Sequence, residues 1–118
     1  MIDTARPFAP TTGNSMTIPA LPTPTLLVLH TEHLEACRTF CADLGLQFAR
    51  EQHGAGPEHY AAELPGGLVL ELYPATARRP VSSNRLGFRA SAEATGLAPG
   101  QHVLQDPDGR AVEVHVGA

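Results

Sequence analysis

Two carboxylates interrupt apolar strands in this chain. Glu71 sits in GLVLELYPA, residues 67–75, between Leu70 and Leu72, and Glu113 sits in DPDGRAVEVHV, residues 106–116, between Val112 and Val114. A carboxylate held on an apolar strand can move a proton or pair with a positive group. Two carboxylates about 4 Å apart in an effective dielectric of about 20 repel by about 4 kcal/mol, so a positive group must accompany them if they meet. Strand alternation puts Val69, Glu71 and Tyr73 on one face, and Ala111, Glu113 and His115 on one face of the later strand. The opposite faces, Leu68, Leu70, Leu72 and Val112, Val114, Val116, are uniformly apolar and must pack in a core. RLGFRA, residues 85–90, places Arg85, Gly87 and Arg89 together, opposite Leu86, Phe88 and Ala90. A basic strand can thus face two acids, either as part of a binding site or as a buried polar seam with no further role.

The remaining titratable residues carry weaker signals. His33, His53 and His102 fall at a helix start, a turn and a strand end and read as solvated, whereas His30, His59 and His115 lie on strands and can enter a cleft. No two histidines have the i, i+4 spacing of a helical ligand pair, so a zinc cluster has no local support. Tyr60 and Tyr73 read as packing residues that can also line a pocket for a flat ligand. Cys37 and Cys41 are four apart on one helix face and read as small buried thiols, which leaves no disulfide framework.

The elements that position these residues follow from periodicity. TLLVLHT, from Thr25, is a continuous apolar strand, and Thr31 is placed to cap a helix over EHLEACRTFCADL that Gly45 closes. Leu34, Cys37, Phe40, Cys41 and Leu44 recur at spacings of three and four and form one apolar stripe, with Phe40 and Leu44 facing a sheet. LQFAREQ reads as a strand, HYAAEL and LVLELY as a hairpin around PGG, and QHVLQ and AVEVHV as two strands joined by DPDG. Each half opens with a strand and closes with a Glu-bearing strand, the pattern of a degenerate internal duplication.

At 118 residues the chain fits one domain with a modest core. Twelve acidic residues against eight basic ones give a net charge of -4, with no basic run longer than Arg78–Arg79, which argues against nucleic acid as a partner. No apolar run approaches the ~20 residues of a membrane span, and no basic-then-apolar signal opens the chain, so no membrane partner and a cytoplasmic location are expected. Residues 1–24 hold five prolines without periodicity and read as a disordered leader, with Met16 an alternative start to Met1; the folded domain spans 25–118.

The helix HLEACRTFCADLGL after the first strand, the hairpin HYAAEL and LVLELYP, the fifth strand LGFRA and the closing DPDGRAVEV together resemble the vicinal oxygen chelate superfamily, which includes glyoxalase I, extradiol dioxygenases and bleomycin-resistance proteins. The resemblance covers Thr25 to Val116. It implies an α+β fold of paired βαβββ modules whose sheets curl around a cleft. It also implies metal ligands on the first and last strand of each module: Glu71 and Glu113 match the closing positions. The opening positions hold Leu26, or Thr25, and Arg85, so no metal is favoured, and Glu71 and Glu113 are the donors if a divalent ion is the alternative cofactor.

Between Ala90 and Gln101 lie only ten residues, SAEATGLAPG, where the resemblance calls for a crossover helix and a strand. A mean helix, strand and two connections need about 24. The second module therefore lacks its helix or keeps it as a turn, its sheet exposes apolar surface, and a homodimer is the expected remedy. The functional expectation is a small-molecule-binding protein of the bleomycin-resistance kind, metal-independent, with Glu71, Tyr73, Arg85, Arg89, Glu113 and His115 contacting the ligand and no catalytic residue assigned. The alternatives are a metal-dependent lyase, isomerase or dioxygenase using Glu71 and Glu113, and a degenerate module kept as an interaction partner.

Overall fold

The computed structural model describes residues 21–117. The leader expected over 1–24 lies outside the described residues except for its last four, which are exposed. Strand β1 (Leu26–Thr31) leads into helix α1 (Leu34–Ala42), then β2 (Ala49–Glu51), β3 (His59–Glu63) and β4 (Val69–Pro74). These form a four-stranded sheet in the order β1-β4-β3-β2, with β1 parallel to β4 and the other pairs antiparallel. The second half runs β5 (Leu86–Ser91), a one-turn helix α2 (Ala92–Thr95), β6 (Gly100–Gln105) and β7 (Ala111–Gly117). Its sheet has the order β5-β7-β6, again with the opening and closing strands parallel. The fold is α+β, and the two halves share a plan from which the second has lost one strand and most of a helix.

The shortening falls in the ten-residue segment. Ser91 Oγ accepts from the Ala94 amide at 3.0 Å, which caps a single turn. Gly96 ends that turn at φ 72°, in the left-handed region. The turn sits close to the end of α1: Gly45 has φ 109°, and a Cβ there would stand 3.3 Å from Ala94 Cβ. Gly45 thus both stops α1 and lets the two modules approach.

Two sequence expectations change. Thr31 does not cap α1: it is the last residue of β1, paired with Pro74, so its backbone is committed to the sheet. Its hydroxyl accepts from the His33 amide at 2.9 Å, and the helix begins at Leu34 with no side-chain cap. Strand β2 is also shorter than LQFAREQ, because Leu46 turns into the core and Phe48 packs edge-on against Tyr60, with ring centroids 6.4 Å apart.

One core serves both modules. Leu70 and Leu72 of β4, Val112, Val114 and Val116 of β7, and Cys37 and Cys41 of α1 are all within 2% of complete burial and form a single cluster. Each such side chain contributes on the order of 1.5–3 kcal/mol. Phe40 is only half-buried at its edge, so the cysteines, both free thiols, hold the centre of the helix stripe. Because both apolar faces turn to this core, the acid-bearing faces lie on the far sides of their sheets. Among the described residues no helix is long and apolar enough to cross a membrane.

Candidate functional site

Glu71 faces outward from β4, opposite Val28 on β1 and Ala61 on β3. The next step along the sheet gathers polar side chains: His30 pairs with Tyr73, and Glu51 pairs with His59. His59 is 1% exposed. Its Nδ1 lies 3.2 Å from the Pro57 carbonyl and can bond there only as a donor, which leaves Nε2 to meet the other groups of the cluster. That nitrogen faces three oxygens: the Tyr73 hydroxyl at 3.3 Å, Glu51 Oε1 at 3.4 Å and Glu71 Oε2 at 3.9 Å. The Tyr73 ring stacks on His59, 4.1 Å away and tilted by only 10°. Burial, with the charges on Glu71 and Glu51, holds the Tyr73 hydroxyl above its ordinary pKa of 10.

A cavity of about 450 Å³ opens beside this cluster, bordered by Val28, His30, Pro57, Glu71, Tyr73 and Arg79. A tight turn brings Arg79 there: its amide donates to Thr76 Oγ1 at 3.0 Å. Another cavity of about 500 Å³ lies along the seam between Leu44–Gln47 and β5, but Glu63 and Arg89 are its only charged groups.

On the second sheet Glu113 stands opposite Gly87, the register position that Val28 holds opposite Glu71. Arg85 forms an ion pair with Glu113. Arg89 pairs in register with His115, whose Nδ1 lies 3.2 Å from Gln101 Oε1. A smaller cavity of about 330 Å³ touches Arg89, Gln101, Glu113 and His115. The six sequence candidates therefore fall into two groups, Glu71 with Tyr73 and Arg85, Arg89, Glu113 with His115. Neither cavity is shared by both acids.

Three features escaped sequence reasoning. His59, Glu51 and His53 converge beside Glu71 although none has ligand spacing, because a hairpin rather than a helix brings them together. Arg79 read only as part of a short basic pair. Arg110, inside the closing turn, is 3% exposed; its Nε donates to Asp106 Oδ2 at 2.8 Å, and its terminal nitrogens donate to Asp108 Oδ2 at 2.9 Å and to the His30 carbonyl at 3.1 Å. The DPDGR turn is thus a buried ion network that clamps the second module to the end of β1.

No family model matches the chain, and no curated protein matches it. Solved structures do. TnmS3, an antibiotic-binding protein from Streptomyces sp. CB03234, is 18% identical with a TM-score of 0.60, over 84% of this chain and 98% of its own. A glyoxalase/dioxygenase from Nostoc punctiforme is 19% identical with a TM-score of 0.59, over 91% of this chain and 99% of its own. A glyoxylase/bleomycin resistance protein/dioxygenase domain from Frankia sp. EAN1pec is 17% identical with a TM-score of 0.53, over 83% and 93%. At these identities the likeness is one of architecture: the chain has the vicinal oxygen chelate fold.

The metal position that fold implies does not suit these residues. Glu71 and Glu113 supply two oxygens, but Leu26 offers no lone pair and Arg85 is a cation that already pairs with Glu113.

Proposed function

We propose that the chain is a small-molecule-binding protein, and that a second copy supplies the Glu113-bearing face to close the cleft over the Glu71-bearing face. The observation that carries this reading is that each acid-bearing face leaves a large apolar side chain in water near its acid. Leu26 on β1 is 56% exposed, and Val103, paired with Glu113 across β6 and β7, is 67% exposed. Both opening strands, β1 and β5, are sheet edges with one side of the backbone unpaired among the described residues. A two-fold pairing would bury both patches and make two equivalent clefts.

The lining sets the ligand class. Val28 and Pro57 give apolar walls, and Tyr73 and His30, with ring centroids 6.0 Å apart, offer flat surfaces to an aromatic ring. Glu71 accepts from a donor on the ligand. Arg79, and Arg85 and Arg89 from the partner copy, meet an acidic group without a metal bridging the two carboxylates. An antibiotic-binding protein among the structural neighbours supports this reading. Two free buried thiols fit a reducing cytoplasm.

Thermal-shift screening with flat aromatic and amphipathic compounds tests the proposal. A ligand at 100 times its Kd adds about 2.7 kcal/mol of stability. The reading requires a hit that Tyr73→Ala and Glu71→Gln both weaken. Silence across a broad panel, or hits indifferent to both substitutions, would contradict it and favour a degenerate interaction module.

A further inference from the structure

We propose that Glu51, His53 and His59 form a binding site for a divalent transition cation of the zinc class, at the β2–β3 hairpin beside the Glu71 cavity. This goes beyond the reading above and uses none of its second-module residues. Glu51 Oε1 lies 3.4 Å from His59 Nε2 and 3.5 Å from His53 Nε2. The three donor atoms lie within 4.8 Å of one another. Bonds of about 2.0–2.1 Å at tetrahedral angles separate neighbouring donors by about 3.3–3.4 Å, so two edges of the tetrahedron are already drawn. Glu71 Oε2, 3.9 Å from His59 Nε2, lies beside this group rather than within it.

The chemistry of His59 points the same way. His59 Nε2, on a ring 1% exposed, is held with the Tyr73 hydroxyl at 3.3 Å and the Glu51 and Glu71 carboxylates at 3.4 and 3.9 Å, so an imidazole nitrogen and carboxylate oxygens already converge on one point. The Nδ1 contact with the Pro57 carbonyl fixes the ring orientation and tautomer, as the outer hydrogen bond of a metal-binding histidine does. Two imidazoles and a carboxylate select zinc, cobalt or nickel over magnesium or calcium, which favour all-oxygen sites. His53, 74% exposed at its side chain, leaves the cation open to solvent on one side. A fourth position held by water would suit a ligand-exchanging site rather than a closed structural one.

Titration of tag-free, chelator-stripped protein with Zn²⁺ by calorimetry, and with Co²⁺ followed by its visible absorption, tests the site. The expected result is one equivalent of Zn²⁺ per chain at micromolar or tighter affinity, a four-coordinate Co²⁺ spectrum and a rise in melting temperature. His59 is buried and its removal can unfold the strand, so the exposed positions carry the test: His53→Ala and Glu51→Gln must each weaken Zn²⁺ at least about tenfold. His33→Ala, on the exposed start of α1, must not. Absence of binding, or binding that both hairpin variants retain, overturns the proposal. Loss on Glu113→Gln with His53→Ala unaffected overturns it equally, placing the cation between the two acid faces. Small-molecule hits that persist in His53→Ala would leave the binding function standing whichever way the metal result falls.

Discussion

Glu71 and Glu113 are each the third residue of the strand that closes their module, and each is paired with a parallel opening strand, yet they have different partners. Glu71 meets an imidazole, His59 Nε2 at 3.9 Å, and Glu113 meets the guanidinium of Arg85. The two modules share the acids and differ in what surrounds them. A guanidinium stays charged and neutralises its acid permanently, whereas an imidazole can donate, accept or ligate. The first face therefore keeps its chemistry available, and the second is set up to hold charge.

The Arg85–Glu113 pair contributes little to folding. The Arg85 side chain is 71% exposed, and exposed pairs contribute about 0–1 kcal/mol. In the dissociated chain Arg85→Ala should cost less than about 1 kcal/mol by urea denaturation, while in the wild-type assembly it should weaken any acidic ligand found by screening. A larger loss in the dissociated chain would mean that the pair is more than an exposed ion pair.

Arg110 should behave in the opposite way. Its side chain and that of Asp106 are 1% and 2% exposed, so Arg110→Ala strands two carboxylates in the interior. The expected cost is about 3–5 kcal/mol by equilibrium denaturation. A cost below about 1 kcal/mol would show that water enters the turn and replaces the guanidinium.

Core packing separates two residues that periodicity treats alike. Leu72 is fully buried, and Leu72→Ala should cost about 2–5 kcal/mol. Phe40 is half-buried, and Phe40→Ala should cost about 1–2 kcal/mol, since only part of its surface leaves water on folding. Denaturation of the two variants side by side checks the order.

Tyr73 should titrate late. Its neutral form is favoured by burial and by Glu71 and Glu51, so the folded pKa lies above the unfolded value near 10. The unfolded chain loses this proton first, so the stability it contributes is complete below pH 10 and falls as pH rises through the folded value. Ultraviolet titration should show a tyrosinate step above 10 that Tyr73→Phe removes and Glu71→Gln moves downward. A step at or below 10 would place the hydroxyl in water.

Much of the fold was legible because period-two and period-three-to-four patterns mark burial directly. The uniformly apolar faces of β4 and β7 and the stripe of α1 are the core, and the ten-residue gap before β6 holds the reduced crossover. Alternation separates the faces of a strand without saying that both apolar faces meet in one core, so it could not show Glu71 and Glu113 lying apart. Arg110 was invisible because an arginine in a polar turn reads as solvated, and only the folded turn closes Asp106 and Asp108 around it. The Glu51, His53 and His59 group was missed for a related reason: its spacing is set by a hairpin loop, which has no fixed period.

Sedimentation velocity at micromolar concentration shows whether a second copy completes the cleft. The wild-type chain should sediment as a dimer, and Val103→Glu, which puts a charge in the exposed apolar patch beside Glu113, should yield a folded monomer that no longer binds the screened ligand. A wild-type chain that sediments as a folded monomer and still binds its ligand would contradict this expectation.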